Sequence, residues 1–555
     1  MQENIALHYK NTLDINYEQD YHTQWENCLN IALISAVVRM SGKERTMDYI
    51  LSFDVGTSGM KGILVDKDGE IAGHAMDRYE VTYTAEGFAE EDPRDWWDAV
   101  LKISREIMAS TDVQPGDVKG IVFATQGAGV IPIGKENGEV IDPAIIWMDG
   151  RAQDEANEIM EMFGGKDAFA ELTGVQLMGK DVLPKVRWLY KHKPDMFAKM
   201  DCFLDVAGYL VYMATGEKAY NITSASAICY DPETNSMMAA ALEAAGIEPE
   251  SFPRLVQCEG FVGNLTPQAA ADMGLTTEAR VYGGTIDIAV STLGSGMCAP
   301  GETHFYLGTS SWASMISDEP ALLSHGGFCA QSAELGKLMW LYTSETACAN
   351  LDWYIEQFYS EEKAKMTDRE LYAYVDSEAD KIAPGSDGLI FDPWTAGERS
   401  PVSDVYVRGG FLNLNLSHTK AHMLRSVYEG IAYNLRWDME ALESDKGITV
   451  PVVRILGGGT KSDVWMQIFA DIFNRPVEVV RDTQNAGAIG AAFLAAKGLG
   501  MFNSFDDVKE WVHVEKTYMP DKKRAAFYES HYKKFQQTYD CLKDFYFELN
   551  KNIAG

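Results

Sequence analysis

Two stretches in opposite halves of the chain share one pattern: an apolar run, a Gly-Thr-Ser turn and a second apolar run. The first lies between Tyr49 and Val65 and contains Asp54-Val-Gly-Thr-Ser-Gly. The second lies between Phe305 and Ile316 and contains Leu307-Gly-Thr-Ser-Ser. Apolar runs on both sides of a glycine-rich turn are typical of a β-hairpin. Because each hairpin is followed by alternating helical and strand patterns, the repeat predicts a duplicated α/β fold whose halves face each other across a cleft.

The chemistry of these turns favours a phosphate ligand. The turn of Gly56, Thr57 and Ser58 presents backbone N–H groups and two hydroxyls to one point, which is what phosphate binding requires. Asp54 precedes the turn, where a carboxylate can hold a hydrated Mg²⁺ on that phosphate. Many single glycine hairpins bind nothing, so the second copy, at Gly308 and Thr309, strengthens the argument. Two facing turns predict a polyphosphate nucleotide in the cleft.

Composition disfavours several classes of partner. The chain has 555 residues, with 48 Lys and Arg against 82 Asp and Glu, and a formal net charge of −34. This balance argues against binding to nucleic acid or to an anionic membrane surface. No apolar run reaches membrane-spanning length, and the eight cysteines show no paired spacing. We therefore expect a cytoplasmic protein with reduced thiols.

Three further motifs carry candidate chemistry, each with a plain alternative. Asp287 ends the apolar strand from Val281 to Ile286, where it can accept a substrate proton or cap the next helix. Gly457-Gly458-Gly459 lies between a strand and a helix. It can contact a nucleotide with its backbone, or it can be only a tight turn. Another strand is followed by Trp147, Asp149 and Arg151. Their aromatic plane, carboxylate and guanidinium suit a polyol ligand. In the plain alternative, Asp149 caps a turn and Arg151 forms an ordinary ion pair.

Two segments complete the predicted organisation. A long helix is expected from Ser417 to about Leu442, with Ser417 as its N-cap. Residues 1–46 show weak periodicity and precede the first strand, so we interpret them as an N-terminal appendage, with upstream sequence translated in error as one explanation. The predicted domains are then 47–295, on the sugar side, and 296–555, on the nucleotide side.

Taken together, these motifs identify a family resemblance that spans about Asp48 to Tyr539. The chain resembles the FGGY carbohydrate kinases of the actin-like ATPase superfamily, and among them it looks most similar to xylulokinases. The resemblance rests on Asp54 to Lys61, Ile145 to Arg151, Leu183-Pro-Lys-Val-Arg-Trp188, Gly284 to Asp287, Leu307 to Ser310, Gly397-Glu-Arg-Ser-Pro401, Arg408 to Glu429, Gly457 to Gly459 and Ala486 to Ala492.

The resemblance implies a fold, cofactors and a set of site residues. The fold is α/β, with two duplicated actin-like (ribonuclease H-like) domains and a catalytic cleft between them. Asp287 is implied as the general base and Asp54 as the residue that orients Mg²⁺. The residues implied for ATP are Gly56, Thr57, Ser58, Lys61, Gly308, Thr309, Gly457, Gly458 and Gly459. The residues implied for the sugar or polyol are Gln126, Gly127, Ala128, Trp147, Asp149, Arg151 and Asp287.

Two positions depart from the family pattern. Xylulokinases usually carry Gln-Met-His-Gly at the sugar-facing turn, whereas this chain has Gln126-Gly127-Ala128-Gly129, and Asn413 stands where the second signature usually has glycine. We expect ATP-dependent phosphorylation of a ketopentose, with D-xylulose first and selectivity weaker than the family norm. Glycerol, gluconate, L-ribulose or another pentulose is the alternative acceptor. A non-catalytic actin-like nucleotide switch is the alternative of another class, and a homodimer is one assembly we consider.

Overall fold

A computed structural model describes residues 48–551, apart from residues 85–86, 174–175, 227 and 232–235. The predicted appendage, residues 1–46, lies outside the described residues. Two seven-stranded sheets organise the described chain. We call the parts built on them the first lobe and the second lobe. Among the described helices, none combines the length and the hydropathy that a bilayer crossing requires.

The first lobe contains sixteen described strands and ten described α-helices. The strands are β1 Tyr49–Gly56, β2 Gly59–Val65, β3 Ile71–Arg78, β4 Thr82–Tyr83, β5 Ala89–Glu91, β6 Val118–Thr125, β7 Ile131–Gly134, β8 Ala144–Ile145, β9 Met200–Leu204, β10 Ala219–Asn221, β11 Tyr230–Asp231, β12 Ser236–Met237, β13 Arg254–Val256, β14 Phe261–Asn264, β15 Arg280–Tyr282 and β16 Thr285–Ile286. The helices are α1 Pro93–Ser110, α2 Gln153–Met162, α3 Lys166–Thr173, α4 Val182–His192, α5 Pro194–Phe197, α6 Val206–Thr215, α7 Ile222–Ser226, α8 Ala239–Ala244, α9 Pro267–Met273 and α10 Asp287–Ser295.

The second half of the described chain contains nine strands and seven α-helices. The strands are β17 Thr303–Leu307, β18 Ser311–Ser317, β19 Phe328–Gln331, β20 Leu338–Ser344, β21 Ile390–Asp392, β22 Gly410–Leu412, β23 Val453–Leu456, β24 Val477–Val480 and β25 Val514–Tyr518. The helices are α11 Cys348–Phe358, α12 Ser360–Lys363, α13 Asp368–Asp380, α14 Lys420–Lys446, α15 Asp463–Phe473, α16 Ala486–Gly498 and α17 Lys522–Asn550.

The two large sheets repeat one topology. The first has the order β3-β2-β1-β6-β15-β14, with β16 also paired to β6, and the second has β20-β18-β17-β23-β24-β25, with β19 outside β20. Neighbouring strands run antiparallel, antiparallel, parallel, parallel and antiparallel in both. This agreement confirms the predicted α/β class and the duplication. The domain boundary near residue 295 stays a prediction.

Each Gly-Thr-Ser turn joins the first two strands of its sheet. In the first lobe, Gly56 pairs with Gly59, so Thr57 and Ser58 form a two-residue turn, and Asp54 lies opposite Lys61 on the neighbouring strand. The apolar residues of β1 and β2 are almost completely buried, which holds this hairpin at the centre of the lobe. The second hairpin, β17–β18, pairs in the same way, with Leu307 opposite Ser311. The sheets therefore place both turns at a strand end rather than on a free loop.

Helices α10 and α16 pack on each other, and α16 also packs on β1 and β6. Small residues permit this close approach. A Cβ atom at Gly294 would lie 1.9 Å from the carbonyl oxygen of Ala486, and one at Gly490 would lie 2.2 Å from that of Val290. The small-residue helix α16 therefore ties the second half of the chain to the first sheet.

Two predicted elements differ from the observed ones. The strand expected from Val281 to Ile286 is two strands, because the chain turns at Gly283 and Gly284, where Gly284 has a φ of +70°. The long helix begins at Lys420 with Thr419 at the N-cap position, so the prediction of Ser417 as its cap was wrong. The hydroxyl of Ser417 instead donates a hydrogen bond of 2.6 Å to the Oδ1 atom of Asn415.

Candidate functional site

Three neighbouring strands of the first sheet end at one place. Thr125, the last residue of β6, pairs with Val55 on one side and with Ile286 on the other. The residues directly after these three paired positions are Gly56, which ends β1, and Gln126 and Asp287, which follow β6 and β16. Parallel strands thus bring the phosphate-type turn, the predicted sugar contact and the predicted base to one edge. This is the edge at which open α/β sheets bind ligands.

Asp287 is the first residue of α10, and Ile286 occupies the N-cap position. Its Oδ1 atom accepts a hydrogen bond of 2.8 Å from the backbone N–H of Ile288, and the residue is half-buried. Burial, followed by the negative charge of Asp54, raises the pKa of Asp287 to about 7. A carboxylate with a pKa near the working pH is suited to accept a proton from a hydroxyl.

The strand before Asp287 is held by buried hydroxyl groups. The Oγ1 atoms of Thr285 and Thr223 lie 2.8 Å apart, and the backbone N–H of Ile286 donates to Thr223 Oγ1 at 3.3 Å. Thr223 in turn donates to the Oδ1 atom of Asn221 at 2.6 Å. These contacts fix the direction in which the chain enters α10, and with it the position of Asp287.

The pKa of Asp287 leads to a pH prediction. If its ionised form takes the substrate proton, kcat/KM should rise about tenfold per pH unit below pH 7 and level off above it. The reason is that the fraction of Asp287 in the ionised form increases as pH rises through about 7. A pH profile of kcat/KM with the sugar varied and ATP saturating measures this. A flat or falling profile through that range would contradict the role of Asp287.

Asp54 and Lys61 face the second half of the chain. The Nζ atom of Lys61 donates to the carbonyl oxygen of Gln484 at 3.3 Å. Burial raises the pKa of Asp54 while the charge of Lys61 lowers it, so the carboxyl group lies near that cation. Gly487, at the start of α16, would place a Cβ atom 3.3 Å from Asp54 Oδ2. A side chain there would crowd Asp54.

The predicted nucleotide loops of the second lobe also converge. Tyr306 on β17 pairs with Leu456 on β23, so Gly308 and Gly457 follow neighbouring strand ends. Gly457 has a φ of +95°, and a Cβ atom there would lie 2.5 Å from the carbonyl oxygen of Leu307, so the turn requires glycine. The backbone carbonyl of Thr309 accepts from Ala347 and Ala349, which fixes the loop.

Exposure separates the residues of these loops. Ser58, Thr309 and Gly458 are exposed, whereas Gly457 and Gly459 are buried. The exposed positions are free of the packing that holds their neighbours, as a loop that receives phosphate or ribose requires. The assignment of all three loops to ATP stays a prediction.

Tyr306 is a residue of this region that sequence reasoning missed. Its ring stacks on Trp312, with centroids 4.1 Å apart. Burial raises the pKa of its phenol, and so do the charges of Asp54 and Asp287, so the phenol lies near both carboxyl groups. The only signal in the sequence was its place directly before Leu307-Gly308, and a tyrosine inside an apolar strand gives no sign of facing two acids.

The sugar-side residues form a chain of hydrogen bonds. The indole Nε1 of Trp147 donates to Thr57 Oγ1 at 2.9 Å, and Thr57 Oγ1 donates to Gln126 Oε1 at 3.2 Å. Gln126 Nε2 donates to Glu91 Oε2 at 2.6 Å. The side chain of Thr57, predicted for ATP, therefore contacts the two predicted sugar residues, and its backbone N–H remains for a phosphate. Glu91 was not predicted, because nothing in the sequence tells which acid near Asp92 turns inward.

Asp149 and Arg151 form a buried pair. Arg151 Nη2 lies 2.7 Å from Asp149 Oδ2 and 2.8 Å from Glu90 Oε1, and its guanidinium lies over the ring of Phe88. Asp149 Oδ2 also accepts from the backbone N–H of Ala89 at 2.6 Å. Hydrogen bonds from Arg151 and Ala89 hold the pKa of Asp149 below its usual range, although burial acts in the opposite direction. The geometry favours a framework role over direct contact with a sugar.

Lys185, inside the family-like Pro-Lys-x-x-Trp stretch, is a second residue without a predicted role. It is fully buried, and its Nζ atom donates to the carbonyl oxygens of Ala128 and Ile146, each at 2.9 Å. Ala128 has a φ of +52°, which is uncommon for a residue other than glycine. Lys185 thus joins the sugar-facing turn to the segment that carries Trp147. A lysine among the apolar positions of α4 was the available signal.

We expect Lys185→Met to destabilise the protein by about 1–3 kcal/mol, because the carbonyl oxygen of Ala128 loses its donor and that of Ile146 keeps only the backbone N–H of Asp149. Urea unfolding measures this free energy. Lys191→Met is the matched control on α4; its ammonium is partly exposed and paired with Glu155 and Glu158, so we expect a loss below about 1 kcal/mol. Equal losses in the two variants would show that the buried contacts of Lys185 contribute nothing special.

Both halves of the chain match models of one protein family. Residues 49–294 match the model of the FGGY family of carbohydrate kinases, N-terminal domain, and residues 304–499 match that of the C-terminal domain. The xylulose kinase of Bacillus subtilis is 29% identical over 90% of this chain and 98% of its own length. The gluconokinase of Bacillus licheniformis is 28% identical over 86% of this chain and 93% of its own length.

A solved structure agrees with this result. The ligand-bound xylulose kinase from Lactobacillus acidophilus is 25% identical and superposes with a TM-score of 0.81, over 91% of this chain and 100% of its own. The two-lobed, duplicated architecture expected for an actin-like kinase is therefore confirmed. With both family models matched and the strand-end site in place, the chain belongs to the FGGY family of carbohydrate kinases.

Proposed function

We propose that this carbohydrate kinase transfers the γ-phosphate of ATP to a hydroxyl group of a neutral ketopentose, with D-xylulose as the first candidate. The observation that carries the proposal is the position of Asp287 beside Gln126 at the strand ends, with its pKa raised to about 7. The Gly-Thr-Ser turn follows the adjacent strand. This arrangement suits a base aimed at a hydroxyl beside a phosphate.

Phosphoryl transfer requires in-line positioning and neutralised charge more than covalent chemistry. In our proposal the two Gly-Thr-Ser turns and Gly457–Gly459 position the nucleotide, and Asp287 accepts the proton of the attacking hydroxyl. Mg²⁺, when bound, would neutralise charge on the phosphates. Asp54 fits that cation, because Mg²⁺ prefers carboxylate oxygens and Asp54 lies half-buried on the strand that leads into the first Gly-Thr-Ser turn.

The charges beside the sugar-facing turn support a neutral acceptor. The cation that contacts this turn, Lys185, is occupied by two carbonyl groups. Arg151 is occupied by Asp149 and Glu90. Gluconate carries a carboxylate that would need a cation of its own, which favours a ketopentose over gluconate. The gluconokinase relatives keep gluconate as the alternative acceptor.

A coupled ADP-release assay tests the substrate directly. The panel contains D-xylulose, L-ribulose, glycerol and gluconate, each with saturating ATP and Mg²⁺. We expect the highest kcat/KM with D-xylulose and measurable activity with L-ribulose. Activity with glycerol alone or gluconate alone would overturn the proposed substrate while leaving the kinase class intact. We further propose a cytoplasmic location and consider a homodimer as the assembly.

Ala128→His should sharpen the preference for D-xylulose. Histidine tolerates the positive φ of Ala128, and an imidazole there can hydrogen-bond a substrate hydroxyl that alanine cannot. We expect the ratio of kcat/KM for D-xylulose to that for L-ribulose to rise by about threefold to tenfold. Ala128→Asn, which also tolerates positive φ, is the control for the backbone. If the wild-type enzyme is already exclusive for D-xylulose, the interpretation of Ala128 is wrong.

A further inference from the structure

Glu91 is a buried acid directly below the predicted sugar residues. It ends β5, pairs with Ala144 on β8, and is only 2% exposed. Its Oε2 atom accepts from Gln126 Nε2 at 2.6 Å. Its Oε1 atom is buried and forms no hydrogen bond of normal geometry among the residues that the structure describes, although the indole of Trp96 lies close enough to lower the pKa of the acid. A buried acid with one unpaired oxygen is costly, so its presence calls for a functional reason.

The hydrogen bonds that leave Glu91 have one direction. An ionised carboxylate can only accept, so the amide of Gln126 must turn its NH₂ group toward Glu91 and its Oε1 atom toward Thr57. Thr57 then donates to Gln126 and keeps its lone pairs for the indole N–H of Trp147. Reversal of the amide would set two acceptors, Gln126 Oε1 and the carboxylate of Glu91, against each other. Glu91 therefore fixes the orientation of the Gln126 amide, which accepts the hydroxyl proton of Thr57 and leaves the lone pairs of that oxygen for Trp147.

The surroundings of Glu91 leave it without a cation. Burial raises its pKa to about 7, the amide of Gln126 and the indole of Trp96 oppose that rise, and the charge of Asp95 on α1 adds to it. Burial, and then the charges of Glu91 and Asp54, raise the pKa of Tyr79, so this phenol, which follows β3, lies near both acids. Above about pH 8 Glu91 is ionised and acts as an acceptor only.

We propose that Glu91 is a positioning residue for the acceptor sugar: through Gln126 and Thr57 it fixes the indole of Trp147 at the sugar side of the cleft. This inference rests on the proposed function. Trp147 is half-buried, so one part of its ring remains available to a ligand. A fixed indole offers a sugar one apolar face in a defined place, and a loose one does not. Glu91 therefore acts on sugar binding and leaves ATP binding and the chemical step unchanged.

Glu91→Gln tests the proposal, because it keeps the shape and removes the obligatory acceptor. At pH 8 we expect the KM for D-xylulose to rise about threefold to tenfold, with kcat within about twofold and the KM for ATP unchanged. Asp98→Asn, an exposed acid on α1, is the matched control and should change none of these values. An unchanged KM for D-xylulose in an active Glu91→Gln enzyme overturns the proposal.

A double-variant cycle separates positioning from general damage. Thr57→Val breaks the same chain one step further on, so the variant with both changes should show no larger KM for D-xylulose than the worse single variant. Independent, multiplied effects would overturn the coupling. This comparison uses only the sugar KM at saturating ATP.

A spectroscopic readout distinguishes this inference from the proposed function. In protein labelled with 5-fluorotryptophan, the ¹⁹F resonance of Trp147, assigned with Trp147→Phe, should shift in Glu91→Gln and in Thr57→Val but not in Asp98→Asn. An unmoved resonance overturns the coupling whatever the enzyme phosphorylates. If the resonance shifts but the wild-type protein phosphorylates no sugar of the panel, the proposed function is wrong, and the role of Glu91 in sugar binding falls with it.

Discussion

Asp287→Asn should lower kcat for sugar phosphorylation by about 10² to 10⁴, the range for loss of a general base. Asparagine keeps the size of the side chain and can still accept from the backbone N–H of Ile288, but it cannot take a proton. The KM values for sugar and ATP should change by less than about threefold, because the variant removes a proton acceptor and leaves the loops intact. Steady-state kinetics at pH 8 measures all three quantities.

Stability is the control for this variant. The folded-state pKa of Asp287, about 7, lies above the usual aspartate value of about 3.8. The free energy of unfolding therefore falls as pH rises from the lower to the higher of these values, because the folded protein disfavours the ionised form. At pH 8 we therefore expect Asp287→Asn to have a Tm equal to or above that of the wild-type protein. Turnover near the wild-type value would refute the assignment of the base. A lowered Tm would show that the side chain supports the fold in another way.

Asp54→Ala should lower turnover by about 10- to 100-fold at fixed Mg²⁺ and raise the Mg²⁺ concentration needed for half-maximal rate. Asp54 lies two residues before the first phosphate-type turn, and a protein with a net charge of −34 offers little general attraction for ATP. Titration of the rate with Mg²⁺ at constant ATP measures the requirement.

The matched control for Asp54 is Asp112→Ala. Asp112 is exposed and precedes β6, so it lies at the opposite end of the sheet from the strand ends that carry the site. Its removal changes the net charge by the same amount and should leave the Mg²⁺ dependence unaltered. If Asp54→Ala and Asp112→Ala behave alike, Asp54 has no role in holding the metal.

Strand patterns predicted the fold and part of the candidate site, because the relevant residues follow parallel strands. The apolar runs before Gly56, Gln126 and Asp287 identified three strand ends, and parallel pairing brings such ends to one edge. The duplicated Gly-Thr-Ser turn similarly predicted two sheets of one topology. These inferences needed only local patterns and the direction of the strands.

The remaining features depend on which way individual side chains turn. Glu90 and Glu91 are neighbours of one charge, yet Glu90 pairs with Arg151 and Glu91 lies below Gln126. Alternation along β5 separates them, but no local pattern shows which of the two faces the site. From its type alone, Lys185 is expected at the surface; its buried position is explained only by its two carbonyl partners.

Local competition explains the error at the long helix. Ser417 and Thr419 are both good N-cap residues, and sequence alone does not rank them. In the structure, the hydroxyl of Ser417 is taken by Asn415. Thr419 therefore stands at the cap, where its hydroxyl and the ring of His422 lie 2.9 Å apart.

The most direct test of the account is ³¹P NMR of the product formed from D-xylulose and ATP, with wild-type protein and Asp287→Asn side by side. We expect a phosphomonoester signal of D-xylulose 5-phosphate that grows in step with ADP for the wild-type protein and is lowered at least about 100-fold in the variant. ADP formed without a sugar phosphate, or equal phosphorylation by both proteins, would contradict it.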